Sequence, residues 1–464
     1  MFKKVLVANR GEIAVRIIRT LREMGIYSVA VYSQADMPSL HVRMADKAVC
    51  IGPAAAAKSY LDINAIIAAA KMTAAEAIHP GYGFLSENAD FAEACADAGI
   101  TFIGPSAETM RHLGDKSAAR RMAIDSGIPV VPGTRGCVLP ENALEEAEKI
   151  GFPVMIKAAA GGGGKGIRIV TDKESLLREY QVASAEAAAA FGNNGLYFEK
   201  YIENPRHIEI QFVRDAFGNT ITFPERDCSI QRRHQKLIEE TPSPAVNAEL
   251  RGRLSDAAVK LACAAGYAGA GTAEFLLDKN GNFYFMEVNA RLQVEHPVTE
   301  AVSGYDLAKM QIIAAAGLSI CEGRKNTAEN IAPQGCAMEF RINAENPEKN
   351  FAPCAGTAKR LSWPGGPGVR IDTHVYSGYT LPIYYDSLIA KLIISAPDRQ
   401  QTLCRAERAL EEFETDGITT TASFCMEMLK DSNFRAGITD TGLAERLIAN
   451  KNSAAEKQKK HSKC

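Results

Sequence analysis

The segment GTAEFLLDKNGNFYFMEVNARLQVEHPV, residues 271–298, constrains this chain more than any other. Two runs rich in Phe, Leu, Tyr and Val flank Asn280-Gly281, the strongest short-range signal for a tight hairpin turn. With Asn280 and Gly281 as the two turn residues, Glu274 faces Glu287 across the ladder. Like charges directly opposed destabilise a ladder, and two close carboxylates cannot both stay ionised without compensation. The pairing asks for a cation. Strand side chains alternate, so Asn289 shares a face with Glu287, and Arg291, Gln293 and Glu295 continue that parity if the chain stays extended. Oxygen ligands from two carboxylates and an amide suit a hard divalent ion such as Mg²⁺, which binds through one or two carboxylates plus substrate phosphates. A solvated polar face is the ordinary alternative. Four acidic or amide side chains and an arginine on one parity, beside apolar runs, favour a site.

The rest of the chain supplies the setting. Its 464 residues allow roughly three domains of about 150 each, and 46% hydrophobic with 23% charged residues describes an ordinary globular protein. A net charge of -2 speaks against nucleic acid as the main partner, which demands a basic face. Eleven cysteines without a C-x-x-C pair read as reduced thiols, and no Cys/His cluster has zinc-ligand spacing. The apolar run in MFKKVLVANRGEIAV is too short for a signal-peptide core, and no run of about 18 apolar residues occurs, so no membrane is expected and the cytoplasm is the expected location. The lysine-rich end, KNSAAEKQKKHSKC, reads as a frayed tail.

Along the first hundred residues, KKVLVA, EIAVRIIRTLREMG, YSVAVYS, AEAIHP and ITFIGP give a βαβ rhythm and predict a parallel sheet. The Asn9-Arg10-Gly11 turn lacks the glycines of a dinucleotide fingerprint, which speaks against a bound NAD. HPGYGFLSEN, residues 79–88, is a loop around Tyr82. In FPVMIKAAAGGGGKGIRIV, residues 152–170, Gly161, Gly163 and Gly166 fit G-x-G-x-x-G, yet a strand follows where a helix should. What remains is a glycine hairpin with Lys157 and Lys165, able to close over phosphates. On the next strands His207, Glu209 and Gln211 alternate, and Arg232, Arg233, His234 and Lys236 cluster positive charge. Residues 339–346 and 384–395 read as strands of a final antiparallel part, with a Pro-Gly turn at 364–368 and helices over 399–412 and 421–429. The class is α/β (α+β).

NRGEIA, HPGYGFLSEN, GDK at 114–116, IKAAAGGGGKG, EKYIENPRHIEIQ, ERDCSIQRRHQK, EVNARLQVEHPVTE, RINAEN and YYDSLIAKL occur in that order. Through them the chain resembles, from Lys4 to about Leu447, the biotin carboxylase subunit of bacterial biotin-dependent acyl-CoA carboxylases, an ATP-grasp enzyme. The resemblance implies an N-terminal domain over 1–114, an ATP-grasp domain over 115–330 with a lid at about 131–203, a C-terminal domain over 331–447 and a tail. It implies ATP, two Mg²⁺ (with Mn²⁺ as substitute), bicarbonate, and biotin carried on a separate carrier protein. Carboxyltransferase subunits would complete an acetyl-CoA, other acyl-CoA or 2-oxoacid carboxylase.

By the same resemblance, Lys116, Lys157, Gly163, Gly164 and Gly166 meet the ATP phosphates, Glu199, Lys200 and Ile202 hold the adenine, and Leu276 is a further ATP-binding residue. His207, Gln231 and His234 lie near ribose and phosphates, and Lys236 on the γ-phosphate and bicarbonate. Glu274, Glu287 and Asn289 carry metal. Arg291, Gln293 and Val294 hold bicarbonate, Glu295 is the general base, Arg341 stabilises the biotin enolate and Tyr82 lines the biotin site. A homodimer would use the first long helix, with Arg16, Arg19 and Glu23, and the turn before Arg370, where Pro367 replaces a phenylalanine of some members.

Overall fold

The computed structural model describes residues 1–159, 167–321 and 327–451. The calls on Gly163, Gly164, Gly166 and Lys165, and all but the first residue of the lysine-rich end, lie outside these residues.

The first hundred residues fold as their rhythm predicts. Strand Lys4–Val7 is the middle of a five-stranded parallel sheet, flanked by Tyr27–Ser33 and Ala77–His79. Val5, Leu6 and Val7 are fully buried, as a strand covered on both faces must be. Beyond its end, Gly11 takes a left-handed φ of 69° and starts the helix Gly11–Glu23.

Residues 143–200 form a small body with its own core. Three antiparallel strands, Arg168–Val170, Val154–Ala158 and Leu196–Lys200, carry the helices Ala143–Ile150 and Lys173–Phe191. Ile156, Leu176 and Phe198 are among its fully buried residues.

Of the remaining strands, six short ones pair off as three two-stranded sheets, and ten make one sheet. Its main path runs Phe283–Asn289, Gly269–Leu277, Arg206–Arg214, Arg226–Arg232, Gln235–Thr241, Cys336–Asn343, Leu388–Ala396, Val369–Thr373. The last three strands form the expected antiparallel part. It is continuous with the central strands, because Gln235–Thr241 pairs with Cys336–Asn343 from Ile238↔Phe340 to Thr241↔Ala337. Catalytic candidates on either side of residue 330 therefore share one surface. Among the described residues no helix is long and apolar enough to cross a membrane.

The hairpin reaches its expected pairing by an unexpected route. Glu274 does oppose Glu287, Ala273 opposes Val288 and Thr272 opposes Asn289. The turn, however, has three residues, Lys279 to Gly281: Asp278 N donates to Asn282 O at 2.9 Å and Gly281 takes the left-handed conformation at φ 81°. Phe275 then pairs with Phe285 and Leu277 with Phe283, one residue out of the expected register. A bulge between Glu274 and Phe275, with Met286 as the extra residue, restores it. The two departures cancel before the site begins.

Candidate active site

The polar seam of the large sheet starts at His207, Glu209 and Gln211, whose strand pairs with Gly269–Leu277 so that Glu209 sits opposite Glu274. Glu209 is fully buried and would be untenable alone. Arg226, also fully buried, donates to it from Nε at 3.1 Å and Nη2 at 3.0 Å, and to Gln211, Thr272 and Thr299 besides. On the other side Lys236 donates to Glu209, to Glu295 Oε1 at 2.6 Å and to Glu274 Oε1 at 3.4 Å. Burial opposes charge on both Glu209 and Lys236, but each is the other's compensation: Glu209 is held well below the usual carboxylate range and Lys236 well above the usual amine range.

Past Asn289 the strand ends, yet its parity survives. Leu292 stays in the core while the odd-numbered side chains remain linked. Arg291 donates to Asn289 Oδ1 at 3.1 Å and to Gln293 Oε1 at 2.8 Å, Asn289 Nδ2 donates to Glu274 Oε1 at 2.7 Å, and Gln293 Nε2 donates to the same oxygen at 3.1 Å. Glu295, fully buried, precedes the helix His296–Ser303. Burial would push its carboxyl up; Lys236 outweighs that, with help from Arg341, and leaves it below the usual value. Arg341, from the strand Cys336–Asn343, reaches Glu295 Oε2 with Nη2 at 2.8 Å.

A cavity of about 710 Å³ opens over this group, lined by Lys236, Arg291, Gln293, Glu295 and Arg341, with His234 exposed beside it and Tyr82 on the wall. Tyr82 donates to Glu12. Lys391, fully buried, lies 3.1 Å from Glu12 Oε1 and donates to Val294 O at 2.9 Å. His207 contacts Glu274 Oε2 at 2.9 Å; burial disfavours its charge, but Glu274 and Glu209 lift it to about 10.

The other predicted residues stand further out. Glu287 pairs with Lys116 at 3.3 Å on the half-exposed edge of the hairpin. Lys157 pairs with Glu199, which Arg120 also contacts at 3.2 Å. Lys200 donates from Nζ to the carbonyls of Gly151 and Phe152 and from its backbone to Pro132 O, so it is anchored within the chain. Ile202 is half-buried at the bend that follows, Leu276 half-buried opposite His207, and Gln231 buried opposite Lys236. Arg16, read as a dimer residue, is buried and bound within the chain to Glu300 at 2.7 Å and Asp306 at 2.8 Å; Arg19 and Glu23 on the same helix are exposed.

The donors fit a hard divalent ion. Glu274 and Glu287 oppose each other with Asn289 alongside. Glu209 and His207 also approach Glu274, but Lys236 already supplies a cation to Glu209 and Glu274. The opposed pair likewise has cations at hand, Lys236 at Glu274 and Lys116 at Glu287.

Sequence reasoning left Glu209 without a role and missed Arg226, Glu87, Glu12, Glu239 and Lys391. Glu87 accepts from Ala290 N at 3.0 Å and from Arg291 Nε at 2.9 Å. The available signal was a charge inside an apolar strand run, as in LIAKLIIS around Lys391, or inside a quoted motif, as Glu12 in NRGEIA.

Residues 1–110 match the model of the biotin carboxylase N-terminal domain, 115–322 that of the carbamoyl-phosphate synthase L chain ATP-binding domain, and 339–446 that of the biotin carboxylase C-terminal domain. Biotin carboxylase 1 of Bacillus subtilis is 53% identical over 447 residues, 96% of this chain and 98% of that protein. The chain belongs to the biotin carboxylase family. The family's structures agree: a biotin carboxylase complex with β-γ-ATP from Campylobacter jejuni shares the fold with a TM-score of 0.90 at 47% identity, covering 96% of this chain and 99% of that one. The biotin carboxylase domain dimer of 2-oxoglutarate carboxylase from Hydrogenobacter thermophilus, with MgADP, ADP and bicarbonate, gives 0.88 at 47% identity, covering 97% and 99%. The large sheet and the small three-stranded body are thus the parts of an ATP-grasp fold behind a parallel α/β domain.

Proposed function

We propose that this chain carboxylates biotin, delivered on a separate carrier protein, using ATP and bicarbonate through carboxyphosphate, and that the product feeds carboxyltransferase subunits of an acyl-CoA or 2-oxoacid carboxylase. The observation that carries the reading is one buried carboxylate, Glu295, held between Lys236 and Arg341 at the wall of a cavity that also presents Arg291 and Gln293. Bicarbonate is a poor nucleophile. Arg291, Gln293 and Val294 position it, and Glu295, held ionised by its two cations, takes its proton as it attacks the γ-phosphate. Lys236, reaching from Glu295 toward Glu274, neutralises charge on the transferring group, with Lys116 and Lys157 along the phosphates. Glu274, Glu287 and Asn289 would hold Mg²⁺, which when bound would supply further neutralisation of phosphate charge. Glu199, Lys200, Ile202 and Leu276 hold the base, and His207, Gln231 and His234 the ribose and phosphates. Arg341 then faces the ureido oxygen of biotin, with Tyr82 beside it.

The working division of the chain is 1–114, 115–330 and 331–447. Dimer contacts fall to exposed Arg19 and Glu23, since Arg16 is used internally. Phosphate release from ATP, with and without bicarbonate and free biotin, tests the reading; turnover indifferent to bicarbonate overturns it. Glu295→Gln should lower turnover by about 10²- to 10⁴-fold while calorimetry still detects nucleotide binding.

A further inference from the structure

Behind Arg341 the large sheet buries two acids that the steps above do not use. Glu239 lies directly opposite Glu339 on the neighbouring strand, and both are fully buried. Neither oxygen of Glu339 has a partner among the described residues, nor has Glu239 Oε2. Packing gains nothing from such a pair: buried carboxyl oxygens without partners are costly, and apolar residues of similar volume would serve the core better. The bonded oxygen of Glu239 suggests why it is there. Glu239 Oε1 accepts from Arg341 Nε at 2.6 Å, while Nη2 of the same guanidinium donates to Glu295 Oε2 at 2.8 Å. One cation is shared between an acid on the cavity wall and an acid behind it.

We propose that Glu239 is a positioning residue, the standing counter-ion that keeps Arg341 compensated and aimed into the cavity when Glu295 takes up a proton or an oxygen anion of the ligand arrives. The inference rests on the roles given above to Glu295 and Arg341. Were Glu295 the sole counter-ion, its protonation would leave the guanidinium on the cavity wall without a carboxylate, and its ionised form would hold Arg341 away from any ligand. A second carboxylate removes both difficulties.

The groups facing Glu239 make its charge sensitive to pH. They are Arg341 and Glu339 from the next strand, Glu295 ahead of its helix, Lys236 on its own strand, Cys228 on the strand before, and Cys425 on the helix Ala422–Lys430; Lys391, one strand further on, acts on Glu339. Burial pushes Glu239 up and Arg341 only partly restrains it, so it settles at about 7. Burial, against the pull of Lys391, keeps Glu339 well above the usual carboxylate range and hence neutral. The Glu239 carboxylate is present above about pH 7 and lost as pH falls through that value. Activity that depends on it declines on the acid side.

The test compares Glu239→Gln and Glu239→Asp with wild type in the full chain, with ATP, Mg²⁺, bicarbonate and free biotin, across pH. The amide variant should lose about 10- to 100-fold in kcat, keep its KM for ATP within about twofold, lose the acid limb near pH 7, and melt no earlier than wild type. The aspartate variant should recover part of the rate and retain the limb. Wild-type kcat with an unaltered limb in the amide variant overturns the proposal. So does a joint fall of kcat, ATP affinity and melting midpoint, which marks a merely structural residue. Glu295→Gln and Arg341→Lys run in parallel separate the two levels: if neither lowers the rate, the reading of the site fails, and if both do while Glu239→Gln does not, this inference alone fails.

Discussion

Two hairpins of the same sheet meet at the site and spend their turns differently. In the hairpin from Gly269 to Asn289 the left-handed position is filled by Gly281, out in solvent, and the functional side chains lie on the strands. In the hairpin from Arg226 to Thr241, Arg232 pairs with Gln235, so the two-residue turn is Arg233-His234, with φ of 48° and 65° and no glycine. His234 lines the cavity from that turn. Residues with side chains held in this conformation are costly and gather where function over-determines them. The first hairpin is built for register, the second for what its tip and its adjoining lysine present.

The contrast yields graded tests. The largest effect is expected on the second hairpin: Lys236→Met leaves Glu209, Glu274 and Glu295 short of a buried cation, which should abolish turnover and cost about 3–5 kcal/mol of stability in chemical denaturation. On the first hairpin, Glu287→Gln should raise the Mg²⁺ concentration for half-maximal phosphate release by roughly tenfold; an unchanged requirement would move the metal elsewhere. Glu87→Gln weakens the hold on Arg291, and KM for bicarbonate should rise by about tenfold with a smaller change in kcat, as for a charge-assisted hydrogen bond of about 1.5 kcal/mol. Least of all, the turns themselves should respond with opposite sign. Gly281→Ala should lower stability by about 1 kcal/mol and Arg233→Gly raise it by about as much, both read as shifts of the denaturation midpoint. Equal responses would dissolve the contrast.

Much of the site was legible because it sits in one local pattern. Alternation placed Glu274, Glu287, Asn289, Arg291, Gln293 and Glu295 on one side, and the structure keeps them there even after the strand ends. The turn was misjudged by one residue, since Asn280-Gly281 serves a two-residue and a three-residue loop equally well, and Met286 hid the error. What the sequence concealed is long-range. The charge within LIAKLIIS stands out, but its partners do not: Lys391 is fully buried against Glu12 and the Val294 carbonyl, which come from far along the chain. Likewise nothing local tells that Cys336–Asn343 will extend the central sheet, since strand pairing between distant segments leaves no periodic trace.

Lys391 has a consequence for how such a protein can change. A single ammonium fastens the first helix through Glu12, the turn ahead of Glu295 through Val294, and the last strands of the sheet to which it belongs. Three segments that look separable are joined at one atom inside the site. A chimera that borrows any one of them from a relative must bring a compatible set at all three positions, and the match there, more than the choice of splice point, should decide which recombinants work.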